Sequence, residues 1–317
     1  LGNPDERGVS NTNAYSGEAP NFGRTRTFHP LKGPMTTQTL RGMRGQGPLH
    51  WRGDKRGTNR TTGQTLEDAA FKEFNGAFTA LLGRSSQLSA TQMDQFAKFA
   101  LRLVFPPNPI GNLDGSLTAD QSAGMNLYNT GRTDGLSACN DCHVLNPAAG
   151  RWGTDGTMSV EGNNVAENFK IAGLRNMYQK VGMFATNSGA TGTASFGNQI
   201  RGFGFENSGQ FGNLDTFFAS PAFQLSDAQQ RQIDRLMIII PTENANIVGQ
   251  QVTLTPSSPA AARTRLDLLV SRALVTSPRR ECELVAKGVI GNVSRGWVIN
   301  SSRNFVPNSS AEQPVTL

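Results

Sequence analysis

Cysteine is scarce: three residues in a chain of 317, too few to staple a fold of this size with disulfides. Long apolar runs are missing too. The longest, Leu236–Ile240, covers five residues within an otherwise polar helical pattern. A membrane-spanning helix, which needs roughly 18 apolar residues, is therefore excluded. Lysine is sparse, seven residues against 23 arginines, and the arginines are scattered rather than blocked. The net charge of +6 thus reads as a solvated surface with some buried arginine pairs, not as a nucleic-acid patch. The chain opens at Leu1 with neither an initiator Met nor a signal peptide, as a processed chain or a piece of a longer one would. Hydrophobic residues make up only 37%, low for this length, while 35 glycines exceed the usual share of about 7%. What is present, 18 Phe and three Trp, supplies enough apolar area to exclude full disorder. The composition describes a globular, loop-rich chain whose core is completed by something other than protein.

Along the chain, residues 1–60 read as extended and irregular, a length of structureless chain that belongs to a site or wraps something. Helical spacing then runs from Thr65 to Leu82 and stops at Gly83. A second helix runs from Ser89 to Val104, with Ser89 and Gln92 placed as a capping box. The proline-rich Phe105–Pro109 ends it and reads as a linker. Further helices are expected over Thr118–Thr130, Ser226–Ile240 and Pro259–Val275. Short strands are expected over Glu283–Val289, Gly296–Ile299 and around Phe305.

Two of the three cysteines fall in Cys139-Asn140-Asp141-Cys142-His143, which is C-x-x-C-H, the attachment signature of c-type haem. On one helical turn, two thiols three positions apart reach the two vinyl groups of a porphyrin. His143 then lies under the ring as an iron ligand. A zinc site needs further ligands, and only Cys282, His29 and His50 remain, all distant in sequence. A thioredoxin-type dithiol follows a strand, whereas this pair follows a helix and a Gly-rich turn. The helix ahead, with Gly124 and Tyr128, looks like the opening helix of a cytochrome c module, and Ser226–Ile240 is the candidate for its closing helix. A His/Met ligand pair suits electron transfer. Of the downstream methionines, Met183 is chosen as distal ligand because Gly182 lets the backbone approach the ring; Met177 is next. Met237 sits on an apolar helical stripe and reads as core, and Met158 lies in a Gly/Thr loop near the motif.

With that motif in hand, the sequence resembles the bacterial di-haem cytochrome c peroxidase and MauG-like superfamily. Phe169-Lys-Ile-Ala-Gly-Leu-Arg-Asn176 is similar to the F-K-V-P-x-L-R-N segment that follows the family's second haem motif. Phe205–Gly209 with Leu214–Phe217 resembles the later H-D-G…T-L segment. His50-Trp-Arg-Gly-Asp54 resembles F-W-D-G-R, and His29–Gly33 with Thr37–Leu40 resembles the run after the first haem motif. The tail from Gly249–Leu254 to Trp297 is similar to the end of long bacterial proteins that carry a β-propeller before such a region. Two departures matter. The family's first C-x-x-C-H is absent, and its histidine-aspartate-glycine segment has become Glu206-Asn-Ser-Gly209, which weakens a peroxidase assignment.

The resemblance implies a mainly α fold: two cytochrome c-like modules with long irregular loops and a small C-terminal β appendage. The expected divisions are 1–108, a module without its own haem motif; 109–250, the haem domain; and 251–317, a helix with short strands. The expected cofactor is haem c on Cys139, Cys142 and His143, with Met183 opposite. A second haem follows if the chain is truncated upstream, with His29 and Met35 as candidate ligands. The expected function is an exported, periplasmic or extracellular, single-electron carrier. Its partner is a redox protein, acidic if the basic balance guides docking, or a larger cytochrome assembly; neither nucleic acid nor a membrane span is expected. The alternatives are a di-haem peroxidase or oxidase of the MauG-like type with its other haem upstream, and a structural subunit of a secreted haem assembly. In an oxidising compartment Cys282 is an odd thiol, buried or paired with another chain.

Overall fold

Side-chain caps set where the helices begin. In the computed structural model, which describes residues 36–160, 168–182, 202–207, 209, 211–277 and 279–308 and the short strands β1 (Asn11–Tyr15), β2 (Arg26–Phe28) and Val315–Thr316, Thr65 accepts from the Asp68 N–H and starts α1, Leu66–Lys72. The run continues through a 3-10 turn at Glu73–Gly76 into α2, Ala77–Ala80. Ser89 and Gln92 cap each other reciprocally at the start of α3, Ala90–Ala100. The same box, Thr118 with Gln121, opens α4 at Ala119–Thr130. Ser226 with Gln229 opens α7 at Asp227–Ile238, after the one-turn α5, Cys139–Cys142, and the short α6, Leu214–Phe218. Each box satisfies two backbone donors that the first helical turn would leave bare.

Residues 1–105 and 117–243 form one compact unit, and residues 106–116 and 244–317 form another. In the first unit, Ala70, Phe71, Met93, Ala97 and Ala100 from α1 and α3 close with Leu49 into a small core. A larger core gathers Tyr128 of α4, Ile233, Leu236 and Met237 of α7, Leu214 and Phe218 of α6, and Leu174, Met177, Phe205 and Phe211 from the loops. Helices α4 and α7 cross where Gly124 meets the Gln232 carbonyl; a Cβ there would strike that carbonyl. Glycine at this point is what lets the two backbones come together.

Between these helices the chain is built from short antiparallel pairs. Strands β3 (Leu145–Asn146) and β4 (Arg151–Trp152) pair directly after the one-turn helix. Strands β5 (Met158–Val160) and β6 (Asn168–Lys170) pair in register Met158 to Lys170. The segment after β6 is fastened along its length. Lys170 N–H donates to Trp51 O at 2.8 Å, Ile171 N–H to Thr157 O at 3.0 Å, and Leu174 N–H to Trp152 O at 2.8 Å.

In the second unit, α8 (Ala260–Ala273) lays Val270 and Ala273 against Trp297, Ile299 and Phe305. These belong to a four-stranded sheet in the order β10 (Val315–Thr316), β9 (Asn304–Pro307), β8 (Val293–Ile299), β7 (Val285–Ile290), antiparallel throughout. Cys282, a free half-buried thiol, packs beside this core, and burial raises its pKa. Among the described residues no helix is long and apolar enough to cross a membrane.

Candidate functional site

The two variable residues of the pentapeptide build its geometry. Asp141 Oδ2 accepts the Ala138 N–H at 2.8 Å and closes the start of the one-turn helix. Asn140 Oδ1 accepts the Leu145 N–H at 2.8 Å and ties the turn to the strand that follows. His143 N–H donates to Cys139 O at 2.7 Å, so the histidine directly continues the turn that carries both thiols. Both cysteines are free, Cys139 half-buried and Cys142 exposed. Cys139 Sγ lies 3.4 Å from the hydroxyl of Thr133, which is itself buried. Burial raises the pKa of Cys139 and of Cys142, and the neighbouring carboxylates Asp134 and Asp141 add to it. Neutral thiols are the opposite of what a disulfide-exchange nucleophile needs.

His143 is oriented by two backbone carbonyls. Its Nδ1 is 3.0 Å from Gly153 O and 3.0 Å from Ala172 O. Carbonyl oxygens can only accept, so Nδ1 carries the hydrogen, and the neutral ring keeps its lone pair on Nε2. Burial lowers the pKa of the ring and favours that neutral form. The histidine's own carbonyl is held as well, by the hydroxyl of Tyr128, a residue with 0% exposure. Tyr128 thus links the α4–α7 crossing to the pentapeptide.

The structure brings Cys139, Cys142 and His143 together on one turn. Met183, the expected distal ligand, lies outside the described residues, as do His29 and Met35. Its neighbour Gly182 is described: φ is +142° and its N–H donates to Gly212 O at 2.9 Å, with Gly202 so close that a Cβ would meet its backbone. Met177 is 8% exposed within the larger core, beside Tyr128 and Leu174. Met237 is core as well. Met158 packs against Gly53.

No sequence pattern marks the partners of this turn. Tyr128 was visible as an aromatic on the preceding helix, but not as a hydrogen-bond donor to His143. The carbonyls of Gly153 and Ala172 carry no side-chain signature at all. Ala172 does lie within the Phe169–Asn176 segment noted above.

A second feature has no sequence motif. A cavity of about 1240 Å³ lies in the first unit, between residues 36–105 and the segments 170–180 and 202–204. Its volume exceeds the roughly 300–1,000 Å³ of ordinary small-molecule sites. One wall is aromatic: Phe71, Phe74, Phe78 and Phe96 meet edge to face with centroids 5.2–6.0 Å apart. Among the described residues five cationic side chains line it, Arg41, Arg52, Lys170, Arg175 and Lys180, against one carboxylate, Asp54. His50, at φ +68°, is engaged by Asp54 at 2.8 Å and by the ring of Phe74 at 4.7 Å. Lys180 lies 5.7 Å from the centroid of Trp51, and burial lowers its pKa. Ala172 joins the two features: its carbonyl holds His143, and the residue lines the cavity.

No family model matches the chain, and no curated protein matches it. Among solved structures, the Kuenenia stuttgartiensis hydrazine synthase pressurised with 20 bar xenon aligns over 70% of this chain and 74% of its own. The identity is 16% and the TM-score 0.42.

Proposed function

We propose that the protein is an exported c-type cytochrome that passes single electrons through a haem attached at Cys139 and Cys142 and ligated by His143. The observation that carries this reading is the tautomer of His143. A ring whose Nδ1–H is spent on two carbonyls directs a free Nε2 lone pair at a metal, and it does so next to two thiols on the same turn. The donor set fits haem c. Cys139 and Cys142 would hold the group through thioethers to its two vinyl substituents, and His143 would ligate its iron. When bound, the group supplies a one-electron iron couple.

The chain's own residues do the rest. Asn140 and Asp141 hold the turn, and Gly153 and Ala172 fix the imidazole and raise its donor strength. Tyr128 anchors the backbone of the ligand to α4. Met183 remains the proposed distal ligand, with Met177 as its alternative. In this reading the haem domain expected over 109–250 is a cytochrome c-like module. The compartment is periplasmic or extracellular, and the docking partner is a redox protein. The net charge of +6, reduced by the haem carboxylates, favours an acidic one.

A second reading is favoured by the cavity: a di-haem oxidase or peroxidase whose other haem lies against the aromatic wall, among the lining cations. Iron per chain, with optical spectra of both oxidation states, tests the two. Iron and haem in equal amount, low-spin in both states and unmoved by carbon monoxide, is the result expected of the carrier. A second, ligand-binding haem supports the oxidase, and a chain purified from a haem-attaching host without any haem overturns both.

A further inference from the structure

Three groups on the cavity wall hold polar donors that the protein leaves unmatched. Gln46 is 6% exposed, yet its Nε2 has no hydrogen-bond partner. Arg175 is 4% exposed; Glu243 and the Gly42 carbonyl take its terminal nitrogens, and its Nε has no partner. Lys170 makes no side-chain hydrogen bond or ion pair among the described residues. The three lie close together. Gln46 Oε1 packs on Gly173, within the segment that carries Lys170 and Arg175, and Lys170 feels the charges of both Arg175 and Glu67. Buried donors such as Gln46 Nε2 and Arg175 Nε are rarely left without an acceptor, and half-buried Lys170 stands beside them. Arg175 already has the Glu243 carboxylate, but its Nε, the Gln46 Nε2 and the Lys170 ammonium each have a hydrogen bond left to give, which the carboxylates of a ligand would take. The aromatic wall formed by Phe71, Phe74, Phe78 and Phe96 offers no acceptor and suits a flat apolar body.

We infer that Gln46, Lys170 and Arg175 form the corner that receives the carboxylates of a porphyrin-sized amphipathic acid, whose apolar body rests on the phenylalanine wall. The inference rests on the reading of the cavity as a second haem site and adds which residues hold the acid groups. A carboxylate there accepts a charge-assisted hydrogen bond from Lys170. Ala172, shared with His143, places the occupant one residue from the haem ligand, so occupancy also registers in the spectrum of the covalent haem.

The test uses the purified chain with its covalent haem in place. It is titrated with ferric protoporphyrin IX and, in parallel, with the dimethyl ester, in which both carboxylates are masked. The free acid should bind as a further equivalent that acidified organic solvent removes, and the ester about tenfold more weakly or worse. Lys170→Gln should weaken the free acid by about tenfold and leave the ester unchanged, whereas Lys170→Arg, which keeps the charge, retains most of the binding. Circular dichroism confirms that both variants fold. Equal binding of acid and ester, or equal behaviour of the two variants, overturns the corner. Failure of both porphyrins to bind overturns the cavity reading with it. The reading of Cys139, Cys142 and His143 is judged separately, by the pigment that stays with the chain after extraction.

Discussion

His143 and Lys170 are served by the same stretch of backbone, Asn168 to Asn176, yet they represent two ways of building a site. The imidazole belongs to five consecutive residues whose order already states their chemistry. Its surroundings add orientation: two carbonyls on Nδ1, a tyrosine on the main chain and two side-chain ties across one turn. The cavity has no such nucleus. Its groups come from positions between 36 and 204, and each is ordinary alone: a glutamine, a lysine, an arginine, four phenylalanines. In the proposed reading covalent attachment needs little else from the fold, since two thioethers would hold the cofactor even where the core is thin. A non-covalent acid must be met by charge and by a wall, so the fold has to deliver both from separate elements.

The sharpest break of this contrast is removal of the thiols. Cys139→Ala with Cys142→Ala should abolish covalent pigment completely, seen as loss of haem staining on a denaturing gel, while porphyrin binding in the cavity survives. If both sites empty together, they are not independent, and the contrast fails. Gly124→Val comes next. A side chain there meets the Gln232 carbonyl and forces α4 and α7 apart. Overpacking of this kind costs about 1–3 kcal/mol, read as a lower urea midpoint. Because α4 carries Tyr128, the imidazole should be disturbed before the cavity. A variant in which porphyrin binding is lost while the haem spectrum is unchanged reverses that expectation.

How much was legible follows the same line. The capping box at Ser89 announces its helix because the signal is local, a hydroxyl and a glutamine three residues apart; in the fold Thr118 with Gln121 and Ser226 with Gln229 repeat it. The expected Thr65–Leu82 helix is instead α1, a 3-10 turn and α2, a break around Glu73–Gly76 that periodicity does not register. Phe96 reads as part of an apolar helix face; in the fold it is 37% exposed and lines the cavity. Spacing shows that a face is apolar but not what it faces. The carbonyls on His143 come from residues 10 and 29 positions away, and any residue type could supply them. The pentapeptide is legible because its chemistry is written in side chains close in sequence. The cavity is silent because its chemistry is a juxtaposition.

Tyr128→Phe sharpens the comparison from the haem side. The ring stays in the core, and only the hydroxyl bond to the His143 carbonyl is lost. A hydrogen bond of this kind is worth about 0.5–1.5 kcal/mol net. Attachment of haem should persist, with a measurable change in reduction potential as the ligand gains freedom. An unchanged potential with unchanged stability would make the hydroxyl idle.

The smallest effect is the most specific to the cavity. Burial pushes Lys170 down to about 8 from its ordinary 10.5, against the pull of Glu67 and with the push of Arg175. Below pH 8 both the folded and the unfolded chain carry the proton, and the empty fold bears the full cost of a half-buried cation. Between 8 and 10.5 the unfolded chain still holds a proton that the folded chain has released, so stability rises with pH across that window. Lys170→Met should remove this rise and leave the empty protein more stable near neutrality, as urea unfolding at a series of pH values would record. A bound carboxylate should also flatten the rise, because it keeps the ammonium protonated, and the acid's affinity should fall as pH climbs past 8. A slope shared by wild type and Lys170→Met, or a porphyrin affinity indifferent to that range of pH, would assign the charge in the cavity to other groups and return the corner to bare packing.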